Sequence, residues 1–523
     1  MTKHRPAGVR RALLALVALL GWALPRRAAA QAAPLGGLDD YVRKAMAAWK
    51  VPGLALAIVK DDSVIYARGY GVREAGSDAP VDESTIFAIG SSSKAFTTAA
   101  LAMLVGEGKL SWDDPVTRYL PRFQLHDAYP TRELTVRDLV THRSGLPRCD
   151  LMWYGTHYDR DQVLHRVRFC EPAWSFRSHF GYQNIMFLAA GTVAARVEGV
   201  RWDALIEHRI FGPLGMTRSS TSVDSLEGMS DVATPHVVVD DSVRAIPWRN
   251  IDNIGPAGSI NSSARDMARW LRFQLAGGVL DGDTLVAPDA LAETHRPQMV
   301  IRQEPPWKEL QPSGHFLDYG MGWFLHDYRG REIVEHGGSI DGMRAEVALM
   351  PEERLGLVVL TNKGGSSLGT PLMFRIFDAF LGAPRKDWAA RYASVQDSME
   401  RQQEKREEDL RKSRVEGTEP SLELSGYAGT YADSLYGEVR VRERDGALVL
   451  DYDDGAFTSR LEHWNYDTFR ARWNDIVRRA GGLAGSLVTF HLDARGRVAS
   501  LEVPGMGTFD RVPEKSEASR GET

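Results

Sequence analysis

Apolar and polar positions along this chain follow two periods, and the switch between them divides it. Residues 38–50 place Tyr41, Val42, Ala45, Met46 and Trp49 at helical spacing, and Val51-Pro52-Gly53 stops that helix. Residues 54–59 and 64–70 flank Lys60-Asp61-Asp62-Ser63, which predicts an antiparallel hairpin. Phe96, Ala99, Ala100, Met103 and Leu104 then recur on one helical face, so a buried helix is expected to begin near Ser91. Thr135 is expected to cap a short helix ended by Gly145 and Pro147, and residues 185–197 form another apolar helix. Residues 255–266 read as a glycine turn of scaffold type, leading through a serine cap into a helix over 267–275.

From residue 319 the period shortens to that of strands. Runs over 319–327, 331–335, 344–350 and 355–362 are expected to complete the antiparallel sheet begun by the first hairpin. Leu372, Met373, Ile376, Phe377 and Phe380 then mark a helix that Leu381-Gly382 and Pro384 end. Residues 385–415 are charged or polar with helical propensity, as in a solvated connector helix. Residues 427–512 alternate in short strands, with turns at Asp445-Gly446, Asp453-Asp454-Gly455 and Ala494-Arg495-Gly496, which predicts a separate small β domain. The expected class is α+β: an antiparallel sheet flanked by helices with an all-helical subdomain, then a small all-β, barrel-like domain. The corresponding boundaries are 36–384 for the main domain, 385–424 for the charged linker, 425–513 for the β domain and 514–523 for a disordered tail.

The first residues change the picture of where the protein works. Lys3, Arg5, Arg10 and Arg11 precede an apolar run over 12–24, and small residues follow at 28–30, so residues 1–30 read as a secretory signal peptide. No later run is long enough to span a bilayer, so no stable membrane anchor is expected in the mature chain, which would be periplasmic or secreted. Cys149 and Cys170 are the two cysteines; in an oxidising compartment they are either a disulfide or two buried thiols, and their spacing fits no zinc site. A formal charge of −5 argues against nucleic acid or an anionic membrane surface as the partner, and favours a small molecule. Oligomeric state is left open.

The candidate chemistry begins at Ser91-Ser92-Ser93-Lys94. With Ser91 at the head of the helix, Lys94 lies one turn on, and its amine can reach the Ser91 hydroxyl. A lysine among apolar neighbours loses its charge easily, and a neutral amine can take a serine proton. Standing alone, the pattern equally describes a serine-rich N-cap beside a solvated lysine. Tyr182 and Asn184 lie at the N-terminal edge of the 185–197 helix, where polar groups can face a cleft; Asn184 could also be no more than a cap. His336-Gly337-Gly338-Ser339 closes a strand, and its glycines let backbone approach a substrate with an amide free to donate. Trp153 and Tyr154 suit an aromatic wall over a pocket, and His142 reads as a packing or hydrogen-bonding histidine. A rival nucleophile stands at Ser367 in Gly365-Ser366-Ser367-Leu368-Gly369, which fits G-x-S-x-G between a strand and a helix.

Together, Ser91-x-x-Lys94, Tyr182-x-Asn184 and His336-x-Gly338 resemble, in order and approximate spacing, the motifs of serine β-lactamase-like hydrolases. The resemblance covers residues 38–381 and points to the branch with class C β-lactamases, family-eight carboxylesterases, D-aminopeptidases and DD-peptidases; the trailing domain resembles lipocalin-like barrels. It implies a β-lactamase/transpeptidase-like fold and an acyl-enzyme on Ser91. Lys94 and Tyr182 would share proton transfer, Asn184 would orient Lys94, and the amides of Ser91 and Ser339 would form the oxyanion hole, with no metal or cofactor. Where the β-lactamases carry a lysine, this chain has His336, which favours small esters or amides as substrates. The alternatives are a D-amino-acid-specific peptidase, a weak β-lactamase, or a penicillin-recognising receptor without turnover.

Overall fold

The computed structural model describes residues 33–239, 241–311, 314–479 and 487–513. The leader expected over 1–30 and the tail over 514–523 lie outside the described residues. The first helix, α1 (Leu38–Ala48), is followed by the expected hairpin, β1 (Gly53–Lys60) and β2 (Ser63–Gly71). A 3₁₀ turn at Gly90–Ser92 leads into α2 (Ser93–Gly106); α3 (Asn184–Glu198) and α4 (Ala264–Leu275) come next. Strands β3 (Met299–Val300), β4 (Leu317–Tyr319), β5 (Phe324–Tyr328), β6 (Arg331–Ile340), β7 (Met343–Met350) and β8 (Leu355–Thr361) join the hairpin in one sheet of order β2-β1-β8-β7-β6-β5-β4-β3. All pairs in that sheet are antiparallel.

The sheet separates two cores, and β1 shows why its sequence reads as an unbroken apolar run. Alternate side chains point to opposite faces. Ala55, Ala57 and Val59 pack into the core with α2, α3 and α4, whereas Leu54, Leu56 and Ile58 pack with α1 and α5 (Gly369–Phe380). Burial on both faces removes the polar alternation of a half-exposed strand. Helix α2 is similarly enclosed: every residue from Ser93 to Leu104 is buried, not one face alone. Phe96 stacks on Trp270 of α4 with ring centres 3.8 Å apart, and truncating such a ring typically costs about 3–5 kcal/mol.

Several expected boundaries move. The run 319–327 divides into β4 and β5, because Gly322, at φ +80°, turns the chain and Gly320 N donates to Trp323 O. Strand β6 does not end before His336; it continues through Ser339 to Ile340, paired with β7. Thr135 and Asp138 form a capping box, but the helix spans only Val136–Leu139 and ends well before Gly145. Residues Gly255–Gly258 are one helical turn, not a glycine bend.

The connector helix α6 (Trp388–Lys412) is only partly solvated. Trp388, Ala389 and Tyr392 are buried at its start, with Trp388 Nε1 donating to Asp378 Oδ2 at 2.7 Å. The C-terminal domain is a closed eight-stranded barrel running from Gly429 to Arg511. Its alternating strands turn Tyr431, Val439, Val441, Leu450, Phe469 and Phe490 into a filled interior. Asp445 and Gly446 both take positive φ at the hairpin predicted there. The barrel is a distinct sheet but not a free-standing body: Tyr158 Oη donates to Tyr436 O, Arg166 to Ser434 O, and His157 N to Asp453.

Candidate active site

Ser91 sits in the 3₁₀ turn ahead of α2, and Gly90, at φ +50°, brings that turn against β6. A Cβ on Gly90 would lie 2.6 Å from Ser339 N, and one on Gly338 would overlap the Ile89 carbonyl oxygen. The two glycines therefore allow backbone-to-backbone contact between the Ser91 turn and the Ser339 strand. Ser92 Oγ ties the same junction by donating to His336 O at 2.9 Å.

Lys94 is fully buried, with Nζ 3.2 Å from Ser91 Oγ, 2.7 Å from Asn184 Oδ1 and 2.8 Å from Ala257 O. Burial holds its pKa well below the ordinary lysine value; the Arg148 charge adds to this and Asp150 opposes it. Asn184 Oδ1 and Ala257 O can only accept, so once the amine is neutral they take both of its N–H bonds and its lone pair is left for Ser91.

Tyr182 lies beside this pair. Lys94 Nζ is 4.8 Å from its ring centre, and burial raises the phenol pKa, opposed by a hydrogen bond shared with Ser91 and by the Arg148 charge. The phenol is therefore protonated at neutral pH. Asn184 is not the cap of α3, because Gln183 takes that role by accepting from Ile185 N at 2.8 Å. Asn184 instead spans two groups, accepting from Lys94 and donating Nδ2 to Asp150 Oδ1 at 3.0 Å. Asp150 also accepts from Trp153 Nε1 at 2.9 Å and from Arg148 Nε at 2.6 Å.

A cleft of about 650 Å³ opens over these groups, lined by Ser91, Asn184, Ser339, Trp153 and Tyr154 among others. Ile251, Ile254 and Ile340 give it an apolar side, and Arg148 and Asp150 supply charge. His336 is not on that wall. It is 2% exposed, with Nε2 3.1 Å from Tyr319 Oη and Nδ1 2.7 Å from Gly337 O. Burial, then the nearby Lys94, pushes its pKa down to about 3. Gly337 and Gly338 lie within β6; Gly338 serves the close approach to the Ile89 carbonyl, whereas a side chain at Gly337 would meet only ordinary contacts. Of the expected residues, Ser91, Lys94, Tyr182, Asn184 and Ser339 thus converge, Trp153 and Tyr154 form a wall, and His336 stands behind them.

His142 is a buried packing residue, as expected, but it packs on the site. Its ring centre is 4.2 Å from that of Tyr182, and its Nδ1 accepts from Gln183 N at 3.0 Å. Cys149 and Cys170 form a disulfide that anchors the Asp150–Tyr154 loop to the end of the neighbouring helix. Asp150, Arg148 and the Ala257 carbonyl were not singled out by sequence. Ser367, the rival nucleophile, is not on the cleft and precedes α5 on the other side of the sheet. Among the described residues, no cluster of three or more His, Cys, Asp or Glu could hold a metal ion, and no helix is long and apolar enough to cross a membrane.

Comparison with known proteins accords with this arrangement. A chain described as an octameric penicillin-binding protein homologue from Pyrococcus abyssi superposes with a TM-score of 0.60 at 24% identity, covering 91% of this chain and 99% of that one, a likeness of fold. An unguisins hydrolase of Aspergillus violaceofuscus is 29% identical over 467 residues, 83% of this chain and 80% of the relative. A human protein described as beta-lactamase-like is 29% identical over 517 residues, 90% and 93% of the two chains. A domain of unknown function matches residues 413–517, which include the barrel. The beta-lactamase family matches residues 38–376, well over half of the chain, and this protein belongs to that family of serine hydrolases.

Proposed function

We propose that the protein hydrolyses small esters or amides through an acyl-enzyme on Ser91. The observation that carries this reading is Lys94 Nζ buried 3.2 Å from Ser91 Oγ and held there by Asn184 Oδ1 and Ala257 O, so that the neutral amine has its lone pair for the Ser91 proton. As Ser91 Oγ attacks the substrate carbonyl carbon, its proton passes to Lys94 and the C–O π pair moves onto oxygen. The amides of Ser91 and Ser339, at the contact made by Gly90 and Gly338, receive that oxyanion. Tyr182 gives its proton to the leaving group as the C–O or C–N bond breaks, and is reprotonated through Lys94. Water then attacks the acyl carbonyl by the same route in reverse, releasing the acid and free Ser91.

The walls favour an uncharged, apolar substituent over a carboxylate. Arg148 is already paired with Asp150, and His336, held neutral and buried, offers no cation to the cleft. This supports esters and small amides over penicillins or cephalosporins. The leader pattern over 1–30 and the Cys149–Cys170 disulfide support work in the periplasm or outside the cell.

Turnover of a short-chain nitrophenyl ester by purified protein is the test, with Ser91→Ala and Ser367→Ala made separately. Ser91→Ala should abolish turnover, and Ser367→Ala should leave it intact. Activity that survives loss of Ser91 overturns the assignment; stoichiometric labelling of Ser91 without turnover points to a receptor instead.

A further inference from the structure

The cleft is not closed by the hydrolase domain alone. Arg249, in the loop before Gly255–Gly258, pairs through Nε with Asp341 and donates a terminal nitrogen to Asp475 Oδ2 at 2.8 Å. Asp341 lies two residues beyond Ser339, at the β6–β7 turn, and also accepts from Tyr154 Oη at 2.6 Å. Asp475 belongs to the barrel domain, so one guanidinium joins the two parts of the chain at the edge of the oxyanion strand. Lysine has a single nitrogen and could not span both carboxylates in this way.

Aromatic packing makes the same junction. The guanidinium carbon stands 4.6 Å from the Tyr154 ring centre and 5.9 Å from that of Phe457, a barrel residue. The Tyr154 and Phe457 rings are nearly parallel, at 14°. Gly155, at φ +67°, is what lets the barrel come this close: a Cβ there would strike the Phe457 ring and sit 2.9 Å from Arg249. Val477 of the barrel domain then lines the cleft with Tyr154 and Ile340.

We propose that the C-terminal barrel is a working wall of the hydrolytic cleft, with Arg249 as the clamp coupling it to the Ser339 strand and limiting the size of the apolar group seated against Tyr154, Ile340 and Val477. Its activity consequence rests on the serine-hydrolase reading above. The clamp holds the turn that follows Ser339, so releasing it loosens the oxyanion amide and opens the wall together. Arg249 and Asp475 are positioning residues, since neither touches Ser91.

The test uses the full chain with Asp475→Asn, which keeps shape, and Arg249→Lys, which keeps charge. Hydrogen exchange at residues 339–343 is read alongside kcat/KM for nitrophenyl acetate and nitrophenyl octanoate. Both variants should exchange faster at 339–343, with β1 and β8 unchanged. Acetate turnover should fall about tenfold, and the octanoate-to-acetate ratio should rise by about three- to tenfold. Unchanged exchange at 339–343, or a ratio within about twofold of wild type, overturns the clamp. Should wild type neither turn over esters nor become labelled at Ser91, the hydrolase reading fails, and the exchange measurement still decides whether barrel and strand are coupled.

Discussion

Asn184 donates Nδ2 to Asp150 Oδ1 at 3.0 Å, and this bond decides which end of the Asn184 amide faces Lys94. The Asp150 carboxylate, paired with Arg148, accepts, so the amide nitrogen must point to it and the amide oxygen to the lysine. Without Asp150 the amide can turn, present N–H to the amine, and compete with Ser91 for the lone pair. Asp150→Ala should lower kcat about 10- to 100-fold with little change in KM. It should also shift the acid limb of the pH profile to lower pH, because the Asp150 charge opposes the depression of the Lys94 pKa and Arg148 does not. Asp150→Asn retains an acceptor and should recover much of kcat while the limb still moves. A pH–rate series on the three proteins checks both; a loss of kcat with an unmoved limb would reduce Asp150 to scaffolding.

Tyr182 holds its proton far above neutral pH, chiefly because it is buried, so it serves as a donor. A donor matters most for a leaving group that is a strong base. Tyr182→Phe should therefore cost about 100-fold on an alkyl ester and less than about tenfold on the nitrophenyl ester of the same acid. Paired rate measurements on the two esters decide it, and equal losses on both would remove the leaving-group role.

Part of this site was readable because Ser91 and Lys94 are one helical turn apart and Tyr182-x-Asn184 stands at a helix start; that the two segments share one cleft was an implication of the family resemblance, not of their local spacing. What escaped has no such signature. Ala257 contributes only a backbone carbonyl, which any residue offers, and Asp150 is one acid in a loop whose path is set by contacts from distant segments. His336 was expected at the surface of the cleft because the resemblance puts a lysine there; β6 continues through it, and strand alternation then turns the ring inward toward Tyr319. The barrel's strands were plain from their turns, but its seat on Tyr154 depends on Gly155 and Arg249, far from it in sequence.

His336→Lys restores the residue of the resembling β-lactamases without restoring its setting. The histidine is neutral, 2% exposed and close enough to Lys94 for the lysine to disfavour its charge. An ammonium there would lack a carboxylate partner and repel any proton from Lys94. The variant should gain no turnover of a chromogenic cephalosporin and should lose about 2–4 kcal/mol of stability in urea unfolding. New β-lactam turnover with unchanged stability would show that the side chain can reach the cleft.

Glu335 and Glu346 form a carboxyl pair on the opposite face of the sheet from His336, where α5 covers β7. Glu346 is buried and accepts from Thr370 Oγ1 at 2.7 Å, and Glu335 lies close enough for its charge to be disfavoured by Glu346. Burial raises the pKa of both, with Glu346 adding to the rise at Glu335 and Arg344 opposing it at each. A carboxyl whose pKa is raised by folding stabilises the fold fully below its unfolded value, near about 4.3, and loses that stability as pH rises through the folded value. Urea unfolding should thus show wild-type stability declining above about pH 5, by at most about 1.4 kcal/mol per pH unit for one proton. Glu335→Gln keeps a donor toward Glu346 and removes the second ionisation, so its advantage over wild type should grow from pH 6 to pH 9. A difference that stays constant across that interval would mean the pair holds no proton at neutral pH.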